Sequence, residues 1–160
     1  LSSAFIASCK APVRLHALDA SPHMLAEAQR TYACDGLKAL LHLGDICGLP
    51  FESGSMDVVL TAHVLEHLAD PQRALTELMR VLRPGGWILL IGTKASPVSL
   101  PIQMLWRTHG FAPNELEARI RDAGATHVER LKPVPMPLFN QLSLTFLARK
   151  PLNHSPTDQL

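Results

Sequence analysis

Residues 43–92 read LGDICGLPFESGSMDVVLTAHVLEHLADPQRALTELMRVLRPGGWILLIG. Within this stretch, the segment DVVL at 57–60 is typical of a buried parallel strand, because such strands are covered on both faces. A helix is predicted over 71–82, where apolar residues recur at helical spacing after an Asp-Pro start. The segment RPGG at 83–86 ends that helix, and WILLI at 87–91 is the next buried strand. Strand, helix and strand in succession predict a parallel α/β sheet.

The same alternation continues on both sides of this stretch. Small and apolar residues at 1–9 suit a helix packed on a sheet, and Ser21-Pro22 starts another helix as its N-cap and first residue. The other predicted elements are strands at 13–18, 40–43, 128–131 and 142–147 and a helix at 114–123. We therefore predict one α/β domain over 1–150, with helices on both faces of its sheet, and a disordered tail over 151–160.

The composition is that of an ordinary globular protein and excludes several other classes. The 160 residues are 47% hydrophobic and 18% charged, with a net charge of +1. Acidic and basic residues are interspersed, so the basic stripe that nucleic-acid binding needs is missing, and we expect no nucleic-acid partner. Three cysteines without paired spacing disfavour a disulfide framework or a zinc knuckle and favour the reducing cytoplasm. Neither a membrane span nor a signal peptide is predicted.

Two aspartates end predicted strands at one edge of the sheet. Asp19 follows the strand at 13–18, and Asp45 follows the strand at 40–43. Ligands of open α/β sheets bind beyond the carboxyl ends of the strands. A carboxylate there has two acceptor oxygens, which suits the ribose hydroxyls or the amino group of a nucleoside cofactor. The alternatives are that Asp19 caps the following helix and that Asp45 is an ordinary turn residue.

Several short motifs occur together in one order and at characteristic spacings. They are ALDASPHML at 17–25, GD-x3-LPF at 44–51, SMDVV at 55–59, VLEHL at 64–68 and LRPGG at 82–86. From Leu15 to Gly92 the chain resembles the class I S-adenosylmethionine-dependent methyltransferases, in particular the branch with ubiquinone and menaquinone biosynthesis methyltransferases. The resemblance implies a Rossmann-like sheet with strand order 3-2-1-4-5-7-6. It also implies S-adenosylmethionine as cofactor and a small, apolar methyl acceptor.

The resemblance assigns the ribose and adenine contacts of the cofactor to two parts of the chain. Asp19, with Ala20 beside it, would bind the ribose hydroxyls, and Met24 would pack against the adenine ring. Asp45 would accept the adenine amino group, and the backbone of Ile46 would face a ring nitrogen. Met24 also lies at the spacing of a core residue, so plain packing is its alternative role.

His63 would line the methionine and substrate side of the same site. It also begins the pattern H-x-x-E-H at 63–67, which is found in some zinc proteases. Zinc binding is disfavoured, because His63 is expected at a junction between a strand and a helix and no third ligand is evident. For a hydroxyl acceptor a base would help, and His63, His67 and His109 are candidates by position.

The family's first strand and its glycine-rich loop are not found in the sequence. Counting about 20 residues back from Asp19 places that loop just before Leu1. Because the first strand is central in the family's sheet, its loss would leave two half-sheets with unpaired edges. We therefore expect a truncated methyltransferase domain that is incomplete as an enzyme by itself.

The acceptor is expected to be a small molecule rather than a nucleobase. Enzymes that methylate the amino groups of DNA bases carry Asn/Asp-Pro-Pro-aromatic after the fourth strand. This chain instead has Thr-Ala-His-Val at 61–64. Met104 and Trp106 are candidates for the wall of an apolar substrate site, and Arg107 or His109 for contact with a polar end. The rival hypotheses are a non-catalytic methyltransferase-like subunit and a nucleotide-dependent oxidoreductase.

Overall fold

The computed structural model describes residues 12–95, 110–131 and 142–152. In chain order the elements are β1 (Leu15–Asp19), α1 (Pro22–Cys34), β2 (Ala39–Leu43), β3 (Met56–Ala62), a 3₁₀ helix (Leu65–His67), α2 (Pro71–Val81), β4 (Leu82–Thr93), α3 (Pro113–Asp122), β5 (His127–Arg130) and β6 (Ser143–Arg149). The predicted helix at 1–9, the candidate substrate residues 104–109 and most of the predicted tail lie outside the described residues. None of the described helices is long and apolar enough to cross a membrane.

The described residues form two compact units that divide between Pro50 and Phe51. The first unit contains β1 and β2, which pair in parallel, and α1 contacts both strands. The second unit contains four strands in the order β3-β4-β6-β5. In that unit β3 and β4 are parallel, whereas β6 runs antiparallel to both β4 and β5. The alternation of strands and helices predicted a parallel sheet, but the sheet of the second unit is mixed, because β6 runs antiparallel to both of its neighbours.

The strand orders identify the fold class. The family order 3-2-1-4-5-7-6 without its first strand leaves 3-2 and 4-5-7-6, which are the orders β2-β1 and β3-β4-β6-β5 seen here. This agreement confirms the predicted Rossmann-like α/β fold. One burial prediction is wrong, since Val58 of β3 is 42% exposed. In the described part of the chain β3 pairs only with β4, so one edge of the strand is uncovered.

Helices α1 and α2 begin as their sequences predict. Ser21 accepts a hydrogen bond from the amide of Met24, and Asp70 accepts one from the amide of Arg73 at 3.0 Å, so each acts as an N-cap. A proline follows each cap, where its missing N–H costs nothing. The apolar face of α2 is buried, whereas α1 has no buried residue. The core of the second unit includes Leu75, Leu78, Ile88, Leu90, Leu116, Ile120 and Phe146.

The segment LRPGG at 82–86 forms the start of β4, directly after α2, and makes hydrogen bonds with the residues that follow β6. Strand β4 begins at Leu82, earlier than the predicted residue 87, and its register against β3 shifts between Met56 and Val58. Gly85 has a positive φ of 74°, which favours glycine. Its amide lies within hydrogen-bonding distance of the carbonyls of Lys150 and Pro151, at 3.1 and 3.2 Å. The motif therefore has a structural role in the second unit.

The substitution Gly86→Ala is expected to destabilise the second unit. An added Cβ would lie 2.9 Å from the carbonyl oxygen of Arg83 and 3.0 Å from that of Asp57, so backbone has to move. Overpacking of this kind costs about 1–3 kcal/mol, which urea unfolding followed by circular dichroism measures. Gly48→Ala is the matched control, because nothing lies within 4 Å of its added Cβ. Equal unfolding midpoints for the two variants would contradict the steric explanation.

Candidate functional site

Asp19 and Asp45 lie at the same edge of the first unit. Asp19 is the last residue of β1 and stands opposite Leu43, the last residue of β2. The amide of Gly44 donates to the carbonyl of Asp19 at 3.1 Å, so the chain leaving β2 passes directly beside the end of β1. The structure thus brings both predicted acids to the carboxyl edge, where open α/β sheets bind their ligands.

The two aspartates share one local arrangement. Oδ1 of Asp19 accepts a hydrogen bond from the amide of Ser21 at 2.8 Å, and Oδ1 of Asp45 accepts one from the amide of Cys47 at 2.8 Å. Each side chain therefore fixes its own turn with one oxygen. The other carboxylate oxygen accepts no hydrogen bond from the described residues. Since Ser21 is the N-cap of α1, Asp19 does not serve as the cap that the alternative hypothesis required.

Met24, Ala20 and Ile46 are the other predicted cofactor residues in the first unit. Met24 lies in the first turn of α1 and is 52% exposed, so its alternative role as a core residue is wrong. Ala20 is exposed and Ile46 is half-buried. Their assignment to the cofactor remains a prediction from the family resemblance. Exposure of a thioether in this position is compatible with contact to a flat apolar ring.

His63 belongs to the second unit and has an unusual backbone. It follows β3 directly and has a φ of 54°, the only positive φ of a non-glycine residue in the described ranges. Its amide donates to the carbonyl of Ile91 on β4 at 2.8 Å. A non-glycine residue in this region costs energy and is often found at functional sites. The junction position predicted for His63 is thus confirmed.

The side chain of His63 is part of a network of three polar groups. Its Nδ1 lies 3.1 Å from Oε1 of Glu66 and 3.2 Å from Oγ1 of Thr93. The hydroxyl of Thr93 donates to the same Oε1 of Glu66 in a close hydrogen bond. Thr93 ends β4 and His63 follows β3, so the network lies at the carboxyl ends of two neighbouring parallel strands.

Glu66 is almost fully buried, with 3% of its surface exposed. Burial raises the pKa of its carboxyl, but hydrogen bonds with His63, with Thr93 and with its own backbone amide outweigh this and lower the pKa below its ordinary value. Oε2 is buried and has no hydrogen-bond partner among the described residues. An unpaired buried acceptor costs stability, so packing alone does not explain this carboxylate.

Sequence reasoning did not find this network. Glu66 belongs to the H-x-x-E-H pattern, for which zinc binding is disfavoured, and Thr93 lies just beyond the stretch that resembles the family. The available signal was the strand-ending position of Thr93, the same signal that identified Asp19. What the sequence cannot show is that the 3₁₀ helix turns Glu66 back towards His63.

The H-x-x-E-H pattern does not form a metal centre in the described residues. His63 lies before the 3₁₀ helix rather than in a regular helix, and His67 is exposed. Within residues 12–95, 110–131 and 142–152, no group of three or more His, Cys, Asp or Glu side chains is placed to hold a metal ion. Of the three candidate bases, His63 takes part in the polar network with Glu66 and Thr93. His67 makes no hydrogen bond in that network, and His109 lies outside the described residues.

The fold is that of the class I S-adenosylmethionine-dependent methyltransferases, whose cofactor is S-adenosylmethionine. The chain belongs to this family, because the family model described as a methyltransferase domain matches residues 2–90. These residues cover β1 to most of β4, which includes both aspartates and His63.

Individual relatives agree with this assignment. A demethylmenaquinone methyltransferase of Clavibacter sepedonicus is 37% identical over 99 residues, which are 62% of this chain and 39% of the relative. An uncharacterized 37.1 kDa protein in transposon TN4556 of Streptomyces fradiae is 45% identical over 78 residues, which are 48% of this chain and 22% of the relative. The chain thus spans less than half the length of these curated relatives.

A solved structure extends the similarity over nearly all of the chain. It is the complex of the Trm112 methyltransferase activator of Haloferax volcanii with a methyltransferase. The match has a TM-score of 0.75 and 25% sequence identity, and it covers 93% of this chain and 79% of the solved one.

Proposed function

We propose that this chain belongs to an enzyme that transfers a methyl group from S-adenosylmethionine to a small, apolar molecule. The observation that carries the proposal is the pair of aspartates at the carboxyl ends of β1 and β2, each with one carboxylate oxygen that no described residue occupies. Membership of the family supports methyl transfer as the reaction. The open carboxylate oxygens of the two aspartates support binding of a nucleoside.

The residues present fit the proposed cofactor. Asp19 offers an open acceptor oxygen for the ribose hydroxyls, and Asp45 offers one for the amino group of adenine. The exposed side chain of Met24 supplies apolar contact for the base. When bound, S-adenosylmethionine supplies an activated methyl group on a positively charged sulfur. The protein then has to orient the acceptor and exclude water, which accounts for a large part of catalysis in such transfers.

A small and apolar acceptor is supported by two observations. The relative from Clavibacter sepedonicus is named a demethylmenaquinone methyltransferase, which is a methyltransferase named for a quinone rather than for a nucleic acid. The residues after β3 lack the Asn/Asp-Pro-Pro-aromatic signature of enzymes that methylate DNA bases. We also propose a cytoplasmic location and a single methyltransferase domain over 1–150, on the basis of the cysteine usage and of the motifs.

Isothermal titration calorimetry with S-adenosylmethionine tests the proposed function. Two proteins are compared: the 160-residue chain, and the same chain preceded by the first strand and glycine-rich loop of the Clavibacter sepedonicus relative. We expect weak or undetectable binding by the first protein and micromolar binding by the second, because the loop lets backbone approach the cofactor closely. NAD is the control ligand and is expected not to bind either protein.

Each outcome separates the hypotheses. A folded extended protein that does not bind S-adenosylmethionine would contradict the cofactor assignment, and binding of NAD instead would favour an oxidoreductase. Micromolar binding by the 160-residue chain would show that the first strand is not needed for the site. Binding by the extended protein without methyl transfer to a panel of quinols would favour the non-catalytic subunit.

A further inference from the structure

The network around His63 determines where the proton of the neutral imidazole lies. Neutral histidine carries one ring hydrogen, so one nitrogen donates and the other accepts. Nδ1 faces two oxygens, Oε1 of Glu66 at 3.1 Å and Oγ1 of Thr93 at 3.2 Å. Which nitrogen carries the hydrogen therefore depends on whether these oxygens donate or accept.

Both oxygens can only accept from His63. An ionised carboxylate has no hydrogen to donate, and the hydrogen bonds in the network favour the ionised form of Glu66. The hydroxyl of Thr93 has a single hydrogen, and the hydroxyl donates it to Glu66 in the close contact. Nδ1 must then be the donor. Nε2 carries the lone pair and has no partner among the described residues.

We propose that Glu66 and Thr93 hold His63 as its Nδ1–H tautomer, which presents Nε2 as the proton acceptor for a methyl acceptor with an O–H or N–H group. In the proton transfer, the O–H or N–H bond breaks and its electron pair stays on the acceptor atom. The proton bonds to Nε2, and the imidazolium formed is stabilised by the carboxylate of Glu66. Because the side chain of His63 is 40% exposed, the proton then passes to solvent.

Two further features support a positioning role for Glu66. It is buried at a cost, with Oε2 unpaired among the described residues, while Oε1 receives both contacts of the network. The backbone of His63 is in the left-handed region at a φ of 54°, and this strained conformation brings the imidazole to the end of β4. The role of Nε2 as proton acceptor for the methyl acceptor rests on the proposed methyl transfer. The tautomer of His63 is a property of the protein alone.

The test is a long-range ¹H–¹⁵N correlation spectrum of the chain labelled in its histidines. It is recorded at about pH 8.5, well above the ordinary pKa of histidine, so that imidazoles are neutral. The variant His63→Gln assigns the signals of His63 among the eight histidines of the chain. We expect the Nδ1–H form to be the major form of His63 in the parent protein.

Matched variants separate positioning from a general structural effect. Thr93→Ser keeps the hydroxyl and is expected to keep the parent share of the Nδ1–H form. Thr93→Val has nearly the same shape and is expected to lower that share, because Glu66 is then the one acceptor left for Nδ1 among the described residues. Glu66→Gln is expected to shift His63 towards the Nε2–H form, because its amide can donate to Nδ1. If Glu66→Gln fails to fold by circular dichroism, the parent spectrum and the Thr93 pair still decide the question.

A major Nε2–H form in the parent protein would overturn the proposal, as would equal tautomer populations in Thr93→Ser and Thr93→Val. Neither result depends on cofactor binding. The tautomer can therefore be confirmed even if S-adenosylmethionine does not bind, and it can be wrong even if the cofactor does bind.

Discussion

Replacing Asp19 with asparagine is expected to weaken S-adenosylmethionine binding by about 10- to 100-fold, which corresponds to the roughly 1.5–3 kcal/mol of a hydrogen bond to a charged group. Asparagine keeps an oxygen that can accept from the amide of Ser21, so the turn after β1 is preserved. What is lost is the negative charge and the second acceptor oxygen. The substitution thus separates ligand binding from local folding.

Isothermal titration calorimetry with S-adenosylmethionine measures this effect. The substitution is made in whichever of the two proteins, the 160-residue chain or the extended chain, binds the cofactor. Asp35→Asn is the matched control, since Asp35 is an exposed acid at the carboxyl end of α1 in the same unit. It is expected to leave the dissociation constant within about twofold, as for most surface substitutions. If Asp19→Asn binds as tightly as the control, Asp19 does not hold the ribose, and its role is confined to the turn.

Phe146→Ala is expected to lower the free energy of unfolding of the second unit by about 3–5 kcal/mol. Phe146 is 0% exposed, and it lies on β6 between Leu90 of β4 and Arg130 of β5. Removing its ring leaves a cavity in the middle of the sheet's packed face, and a well-packed core closes such a cavity only partly.

Urea unfolding followed by circular dichroism measures this loss. Phe146→Leu fills more of the space and is expected to lose less stability than the alanine variant. Leu152→Ala is the exposed control, because Leu152 is 57% exposed, and it is expected to change stability by less than about 1 kcal/mol. An alanine variant as stable as the parent would show that Phe146 is not central to the core.

Much of the fold could be predicted because its signals are local. Ser21-Pro22 and Asp70-Pro71 start their helices as N-cap and proline pairs do, and six strands form close to their predicted positions. The edge at which Asp19 and Asp45 lie also followed from the sequence, since an acid directly after a parallel strand has to stand at its carboxyl end. Local preference and strand order were sufficient for these predictions.

Other features depended on contacts between distant residues. The antiparallel direction of β6, the exposure of Val58 and the early start of β4 all arise from which strands pair. The link from His63 to Thr93 joins residues on two strands, and no spacing in the sequence measures that distance.

The sequence by itself determined the family, the order of the elements and the two acids at the carboxyl edge, because capping, periodicity and motif order act between near neighbours. Only the tertiary structure decided that His63, Glu66 and Thr93 form one hydrogen-bonded network. Hydrogen bonds require donors and acceptors about 3 Å apart, and strand pairing together with the backbone turn at His63 sets that separation.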